Sequence, residues 1–140
     1  MTGDNTMRGT DDLGKLVLRL NLGILLLFHG VKKITGGIGF VHTMVVAHGL
    51  PPQVAYLVYI GEVVAPVLLI LGFYSRIGGL IVVINMLFAL FLVHMHQLGS
   101  LAPTGGWALE LQAFYLVSGL CVLLLGAGRF SISGGRGTWD

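Results

Sequence analysis

The chain has 140 residues, a length that suits one domain, and it is 55% apolar and only 10% charged, with a mean hydropathy of +0.89. A soluble domain averages about 25% charged residues, so this composition excludes an ordinary soluble protein and indicates a membrane protein. The net charge of +2 is too small to suggest nucleic-acid binding, and no basic stretch alternates with aromatic residues. Cys121 is the only cysteine, which excludes an intrachain disulfide and a CxxC dithiol; it is expected to be a small packing residue.

Four apolar segments follow one another along the chain, at roughly residues 13–31, 53–71, 77–97 and 107–125. Each approaches the roughly 20 residues that a helix needs to span a bilayer. In hydrocarbon every backbone group must find its partner within the protein, which favours helices over open strands. The first segment lacks the small-x-small cleavage pattern of a signal peptide. The sequence therefore predicts an all-α, antiparallel four-helix bundle in the membrane, forming one domain over residues 13–128.

The segments that connect and flank the spans predict the topology. The stretch "FVHTMVVAH" between spans one and two is apolar on one side and predicts a short helix on the membrane surface. Residues 1–12 and 129–140 are polar and are expected to be poorly ordered tails. One side of the predicted bundle carries Arg8, Lys15, Arg76, Arg129 and Arg136, and the other carries Lys32 and Lys33. The positive-inside rule then predicts a multi-pass protein of the bacterial inner membrane with both termini in the cytoplasm.

All five histidines fall on the non-cytoplasmic side of this topology: His29, His42, His48, His94 and His96. Glu110 is expected one turn into span four from the same side. At 1.5 Å per residue, His29, His94 and Glu110 lie at about the same depth on three helices, about 4 to 8 Å below the surface. These three are predicted to meet as a site for ligand binding or proton transfer. The other three histidines are interpreted as residues facing lipid headgroups.

Two charged residues lie deeper in the predicted spans, Arg19 in span one and Glu62 in span two. An isolated charge in a span costs about 2.5 to 3.5 kcal/mol on insertion scales, so the two are predicted to form a buried ion pair. That pair either shapes a pocket or only fixes the register of two helices. Asn85 and Gln112 are expected to add hydrogen bonds.

Several chemistries suit the predicted set. Imidazole and carboxylate groups can hydrogen-bond the carbonyls of a quinone and exchange protons with it. His29, His94 and Glu110 also form a valid ligand set for zinc, iron or copper, although the spacing signal for a metal is weak. His29 and His94 at matched depth suit haem ligation. A docking patch for a periplasmic partner, with no chemistry of its own, is the remaining alternative.

Three stretches of the chain resemble the DoxX family of membrane proteins: "RLNLGILLLFHGVKKI", "GLPPQVAYLVYIGEVVAPVLLILGFYSRIGGLIVVINMLFALFLVH" and "GGWALELQAFYLVSGLCVLLLGAGRFSI". The resemblance covers about residues 16–132. The family positions in this sequence are Arg19, His29, Lys33, Glu62, Arg76, His94, Glu110 and Arg129.

The resemblance implies a four-helix bundle that acts beside partner proteins, since the family's founding member is a small subunit of a thiosulfate:quinone oxidoreductase. The leading hypothesis is a small inner-membrane subunit of a quinone-linked redox system, with a polar ligand site near the outer face. The alternatives are a non-enzymatic membrane scaffold and a metal- or haem-binding subunit. The expected partners are the lipid bilayer and a membrane or periplasmic redox protein, with no nucleic acid; a homo-oligomer stays open.

Overall fold

The computed structural model describes the backbone of residues 2–140 and the side chains of residues 9–140. This part of the chain contains five helices and no strand: α1 (Thr2–Gly36), α2 (Gly39–Ala47), α3 (Pro52–Leu71), α4 (Ser75–Gln97) and α5 (Glu110–Leu125). Among the described helices, α1, α3 and α4 are long and apolar enough to span a membrane, and α5 is a shorter apolar helix. The predicted helical membrane bundle is confirmed, and a short helix, α2, follows the first span as expected.

Three helix boundaries differ by three residues or more from those predicted, and one of them is the end of α1, at Gly36 rather than at residue 31. Helix α1 begins at Thr2, so most of the predicted N-terminal tail is helical; the Arg8 side chain lies outside the described residues. Helix α5 begins at Glu110 rather than at residue 107, because residues 98–109 close into a hydrogen-bonded loop. In that loop Leu101 and Trp107 form an isolated bridge, and Trp107 Nε1 donates to the Leu98 carbonyl at 2.9 Å. Glu110 therefore stands at the start of the helix and not one turn inside it.

The four long helices pack around a narrow apolar core and turn most of their apolar side chains outward. Seven buried residues form the centre of the bundle: Leu22, Leu26, Ala65, Leu69, Val82, Met86 and Val122. Large apolar side chains on every spanning helix are exposed instead, among them Phe28, Ile84 and Phe114. This is the distribution expected of a bundle surrounded by lipid, because an apolar side chain that faces the acyl chains has no unfavourable solvation free energy. Between α4 and α5, Gly79 and Gly119 allow close approach, since a Cβ on either would crowd the other's carbonyl oxygen.

One end of the bundle, here called the arginine end, is closed by Arg19, Arg76 and residues 126–140. Arg19 is fully buried and donates three hydrogen bonds to carbonyl oxygens, of Leu69 at 2.6 Å, Ala127 at 3.0 Å and Phe130 at 2.7 Å. Arg76 donates to the Leu123 carbonyl at 2.8 Å and the Asp140 carbonyl at 3.0 Å. The prediction of a loose C-terminal tail is therefore wrong, because the two guanidinium groups and the helix ends bind its backbone.

The opposite end, here called the cavity end, is covered by α2. Val45 of α2 is fully buried against Ala55 at the start of α3 and Leu92 near the end of α4. This second apolar cluster packs α2 against α3 and α4 at the end of the bundle. Side chains do not fill the space between the helices beneath it. The two ends of one bundle are thus built differently, one filled and the other hollow.

Candidate functional site

The cavity end encloses a space of about 640 Å³ that all five helices line. Its wall is mostly apolar, with side chains such as Leu26, Val58 and Leu92. Seven polar side chains interrupt that wall: His29, Lys33, Glu62, Asn85, His94, Gln112 and Tyr115. Ligand pockets typically measure about 300 to 1,000 Å³ and combine an apolar lining with a few converging polar groups, so this cavity has the size and character of a binding site.

Two π-helical segments form part of the wall, Ile60–Val64 in α3 and Leu90–His94 in α4. A π segment inserts an extra residue into a helical turn and changes which side chains point inward, and such segments are frequent at functional sites. The first segment contains Glu62 and the second ends at His94. Gly30 of α1 packs directly on the Glu62 backbone, where any Cβ would overlap the Glu62 carbonyl group. The histidine–glycine pair at residues 29 and 30 thus brings α1 against this segment.

Glu62 forms an ion pair with Lys33, not with Arg19. Lys33 Nζ lies 2.5 Å from Glu62 Oε2, and the two side chains are 22% and 11% exposed. The predicted Arg19–Glu62 pair is wrong because Arg19 points to the opposite end, where three carbonyl groups satisfy it. The sequence places Lys33 beside Lys32 on the non-cytoplasmic side and predicts no partner for it. Its spacing of four residues from His29 places both on one face of α1, which is the signal that identifies it.

His94 sits in a chain of side-chain hydrogen bonds across the α4–α5 interface. Its Nδ1 lies 2.8 Å from Gln97 Oε1, and its Nε2 lies 3.2 Å from Gln112 Nε2. Since the amide nitrogen of Gln112 always carries hydrogens, His94 Nε2 accepts and the ring proton is on Nδ1, which donates to Gln97. Both ring nitrogens are therefore engaged within the protein.

His29 lies at the rim of the cavity, where α1 faces α5. Its ring packs edge-on against Tyr115, with centroids 5.9 Å apart and an interplanar angle of 88°. The Tyr115 hydroxyl is 3.5 Å from His29 Nε2, at the limit of a hydrogen bond. His29 is exposed, so this pair stands between the cavity and the lipid-facing surface.

The structure brings two of the three predicted site residues to one cavity and leaves the third outside. His29 and His94 line the cavity, whereas Glu110 is exposed at the start of α5 and turns its carboxylate toward Gly106 of the preceding loop. Its place on α5 is taken by Gln112 and Tyr115. His42, His48 and His96 are exposed and do not line the cavity.

Neither a metal centre nor a haem site is assembled from the predicted residues. Within residues 9–140, no three His, Cys, Asp or Glu side chains come close enough to hold a metal ion. Haem ligation by His94 would require breaking its contact with Gln97 or with Gln112. The donor set present suits an organic ligand better than a metal.

Two amide groups on the cavity wall have an atom without a partner. Asn85 Nδ2 and Gln112 Oε1 are both buried and form no hydrogen bond within the described part of the chain. A buried polar atom left unpaired costs about 1 to 3 kcal/mol, so native proteins rarely leave two in one cavity without a reason. These two atoms are hydrogen-bonding groups that residues of the cavity wall leave unused.

A comparison with known proteins identifies the family of this chain. A sequence profile of the DoxX family matches residues 14–95, more than half of the chain. The matched region contains Arg19, His29, Lys33, Glu62, Arg76 and His94, while Glu110 and Arg129 lie beyond it. No curated protein and no solved structure matched the chain. This chain belongs to the DoxX family.

Proposed function

We propose that this protein is a membrane subunit of a quinone-linked redox system and that its cavity holds the quinone ring. The observation that carries the proposal is the cavity of about 640 Å³, whose apolar wall is interrupted by an ion pair and two unpaired amide atoms. A quinone matches this division, because its ring oxygens need polar partners while its ring faces and isoprenoid tail need an apolar surface.

The polar groups support an exchange of protons as well as binding. Reduction of a quinone by two electrons adds two protons to its ring oxygens. The Lys33 ammonium and the Glu62 carboxylate form a donor and an acceptor of protons in one pair, held 2.5 Å apart beside the cavity. The imidazole rings of His29 and His94 line the same cavity and add groups that donate or accept a proton. The electrons would come from a partner protein of the same redox system, as in a thiosulfate:quinone oxidoreductase.

We further propose that the arginine end faces the cytoplasm of an inner membrane. Lys15, Arg76, Arg129 and Arg136 favour that side under the positive-inside rule. At the cavity end, the positive charge of Lys33 is paired with Glu62. Lys32 is then the lysine whose charge counts toward that side. The quinone would then bind in the outer half of the bilayer.

The proposal is tested by measuring the quinone that copurifies with the protein. Lipid extraction followed by mass spectrometry should detect quinone bound to the wild-type protein. Val58→Trp should lower that quinone by about tenfold or more, because the indole fills a cavity in which position 58 is part of the wall. Val117→Trp is the matched control, since Val117 is 54% exposed and lies outside the cavity.

The alternatives give different results in the same preparations. Absence of quinone from the wild-type protein across several preparations would contradict the proposal and favour a scaffold. Equal quinone in wild type and Val58→Trp would place the quinone elsewhere. A Soret band in the optical spectrum or a stoichiometric metal in elemental analysis would favour the haem or metal alternative.

A further inference from the structure

The hydrogen-bond chain through His94 fixes what Gln112 offers to a ligand. Gln97 Oε1 accepts from His94 Nδ1, so His94 Nε2 has a lone pair and accepts from the amide nitrogen of Gln112. The amide oxygen of Gln112 is consequently turned away from His94. That oxygen is buried and without a partner in the described part of the chain. Gln112 Oε1 is therefore an unused hydrogen-bond acceptor of a residue that lines the cavity, in the arrangement in which Gln97 turns its amide oxygen to His94.

Asn85, on the cavity wall contributed by α4, presents the complementary group. Its Nδ2 is a donor, is also buried, and forms no hydrogen bond within the described part of the chain. Both atoms have almost no solvent-accessible surface, so a ligand reaches them after neighbouring side chains of the wall move aside, with the bond between Gln112 and His94 kept. A ligand that satisfies both must accept a hydrogen bond from Asn85 and donate one to Gln112.

The two oxidation states of a quinone differ in this respect. The ring oxygens of an oxidised quinone are carbonyls, which only accept hydrogen bonds. The hydroxyl groups of a quinol both donate and accept. An oxidised quinone would satisfy Asn85 but leave Gln112 Oε1 unpaired, whereas a quinol would satisfy both.

We infer that the cavity binds the quinol form more tightly than the oxidised quinone, through a hydrogen bond from a quinol hydroxyl to Gln112 Oε1. This inference rests on the proposed function, because it assumes that the ligand belongs to the quinone class. Satisfying one buried acceptor corresponds to a preference of about tenfold or more for the quinol. A subunit with this preference holds the reduced form of the ligand, the state that is left after electrons and protons have been taken up.

The preference is measured as a ratio of two dissociation constants. The protein in lipid nanodiscs is titrated calorimetrically, without oxygen, with a ubiquinone carrying two isoprene units and with the same compound reduced to its quinol. We expect the quinol to bind at least about tenfold more tightly to the wild type. Gln112→Leu should reduce the ratio to about one by weakening quinol binding alone.

Three further variants separate selectivity from folding and from general affinity. Asn85→Leu should weaken both forms to a similar extent, because its donor serves either oxidation state. Gln97→Leu should lower the ratio without removing any group from the cavity wall, since Gln97 acts by fixing the His94 proton. Gln53→Leu is the matched control on the surface and should leave the ratio unchanged.

The results distinguish failure of this inference from failure of the proposed function. Equal affinities for the two forms in the wild type, or a ratio that survives in Gln112→Leu, would overturn the inference while leaving the proposed quinone site intact. Failure of both forms to bind the wild type would overturn the proposed function itself. The ratio is read within one preparation, so partial loss of folded protein in a variant does not imitate the expected result.

Discussion

The two ends of the bundle use ionisable side chains in opposite ways. At the arginine end, Arg19 and Arg76 donate to backbone carbonyl oxygens that the helix ends and the C-terminal segment would otherwise leave unpaired. At the cavity end, Lys33 and Glu62 bind one another beside an open space, and two amide groups retain an unpaired atom. The charged groups of the arginine end stabilise the backbone, whereas those of the cavity end lie beside the space proposed for the ligand.

This difference also explains why the two ends should respond differently to mutation. A charge that satisfies several backbone groups is hard to replace, because its loss leaves all of them unpaired in a lipid environment. A charge beside a cavity has room to rearrange or to be met by a ligand. We therefore expect stability to depend most on the arginine end and binding to depend most on the cavity end.

The largest effect is expected for Arg19. Arg19→Leu removes three charged hydrogen bonds and leaves the carbonyls of Leu69, Ala127 and Phe130 without that donor. We expect the free energy of unfolding to fall by about 3 to 5 kcal/mol, measured by denaturant titration in detergent. Arg136→Leu, at an exposed position of the C-terminal segment, should change it little. Equal stability of Arg19→Leu and wild type would show that the arginine end is not held by this residue.

A smaller effect is expected for the ion pair at the cavity end. Glu62→Gln should lower the free energy of unfolding by about 1 to 2 kcal/mol, because the partly exposed Lys33 retains access to the cavity. A double-mutant cycle with Lys33→Met should give a coupling energy of about 1 kcal/mol or more. The same cycle between Glu62→Gln and Arg19→Leu should give none. Coupling of Glu62 to Arg19 instead would restore the pairing expected from sequence and contradict the structure.

The smallest expected effect, and a stabilising one, is that of Gly14 in α1, which is compared with Gly30 of the same helix. Gly30→Ala forces a Cβ into the Glu62 backbone and should destabilise the protein by about 1 to 3 kcal/mol. Gly14→Ala is the matched control, because no described atom outside its two chain neighbours and the adjacent backbone of its own helix lies within 4 Å of an added Cβ. It should stabilise the protein by about 0.5 to 1 kcal/mol through helix propensity. Melting temperatures in detergent distinguish the two signs, and stabilisation by both would show that α1 does not contact the π segment closely.

Much of the fold follows from apolar length alone. The three helices long enough to span a membrane, the shorter apolar helix α5 and the short helix α2 are visible in the sequence because lipid imposes long apolar runs. The start of α5 is not, since the loop that holds Trp107 depends on backbone hydrogen bonds between residues such as Leu101 and Trp107. Glu110 is the first residue of α5, and its carboxylate lies beside Gly106 of that loop and outside the cavity.

Only part of the candidate site can be predicted from the sequence, for a related reason. The similar depth of His29 and His94 can be predicted because depth along a helix follows from residue count, and both residues line the cavity. The partner of Arg19 was missed because its acceptors are backbone carbonyls, which every residue has and which no sequence pattern marks. The π segments at Glu62 and His94 change the facing of side chains without any distinctive residue, so the Lys33–Glu62 pair becomes evident only from the structure.

Photolabelling with an azido-substituted ubiquinone in nanodiscs, followed by peptide mass spectrometry, tests most directly whether the hollow end is where a ligand binds. We expect cross-links within residues 54–62 and 84–94, suppressed by excess unlabelled quinone, and none within residues 126–140. Cross-links that excess quinone does not suppress, or that fall at lipid-facing positions such as Val117 instead, would show that the cavity is not a quinone site.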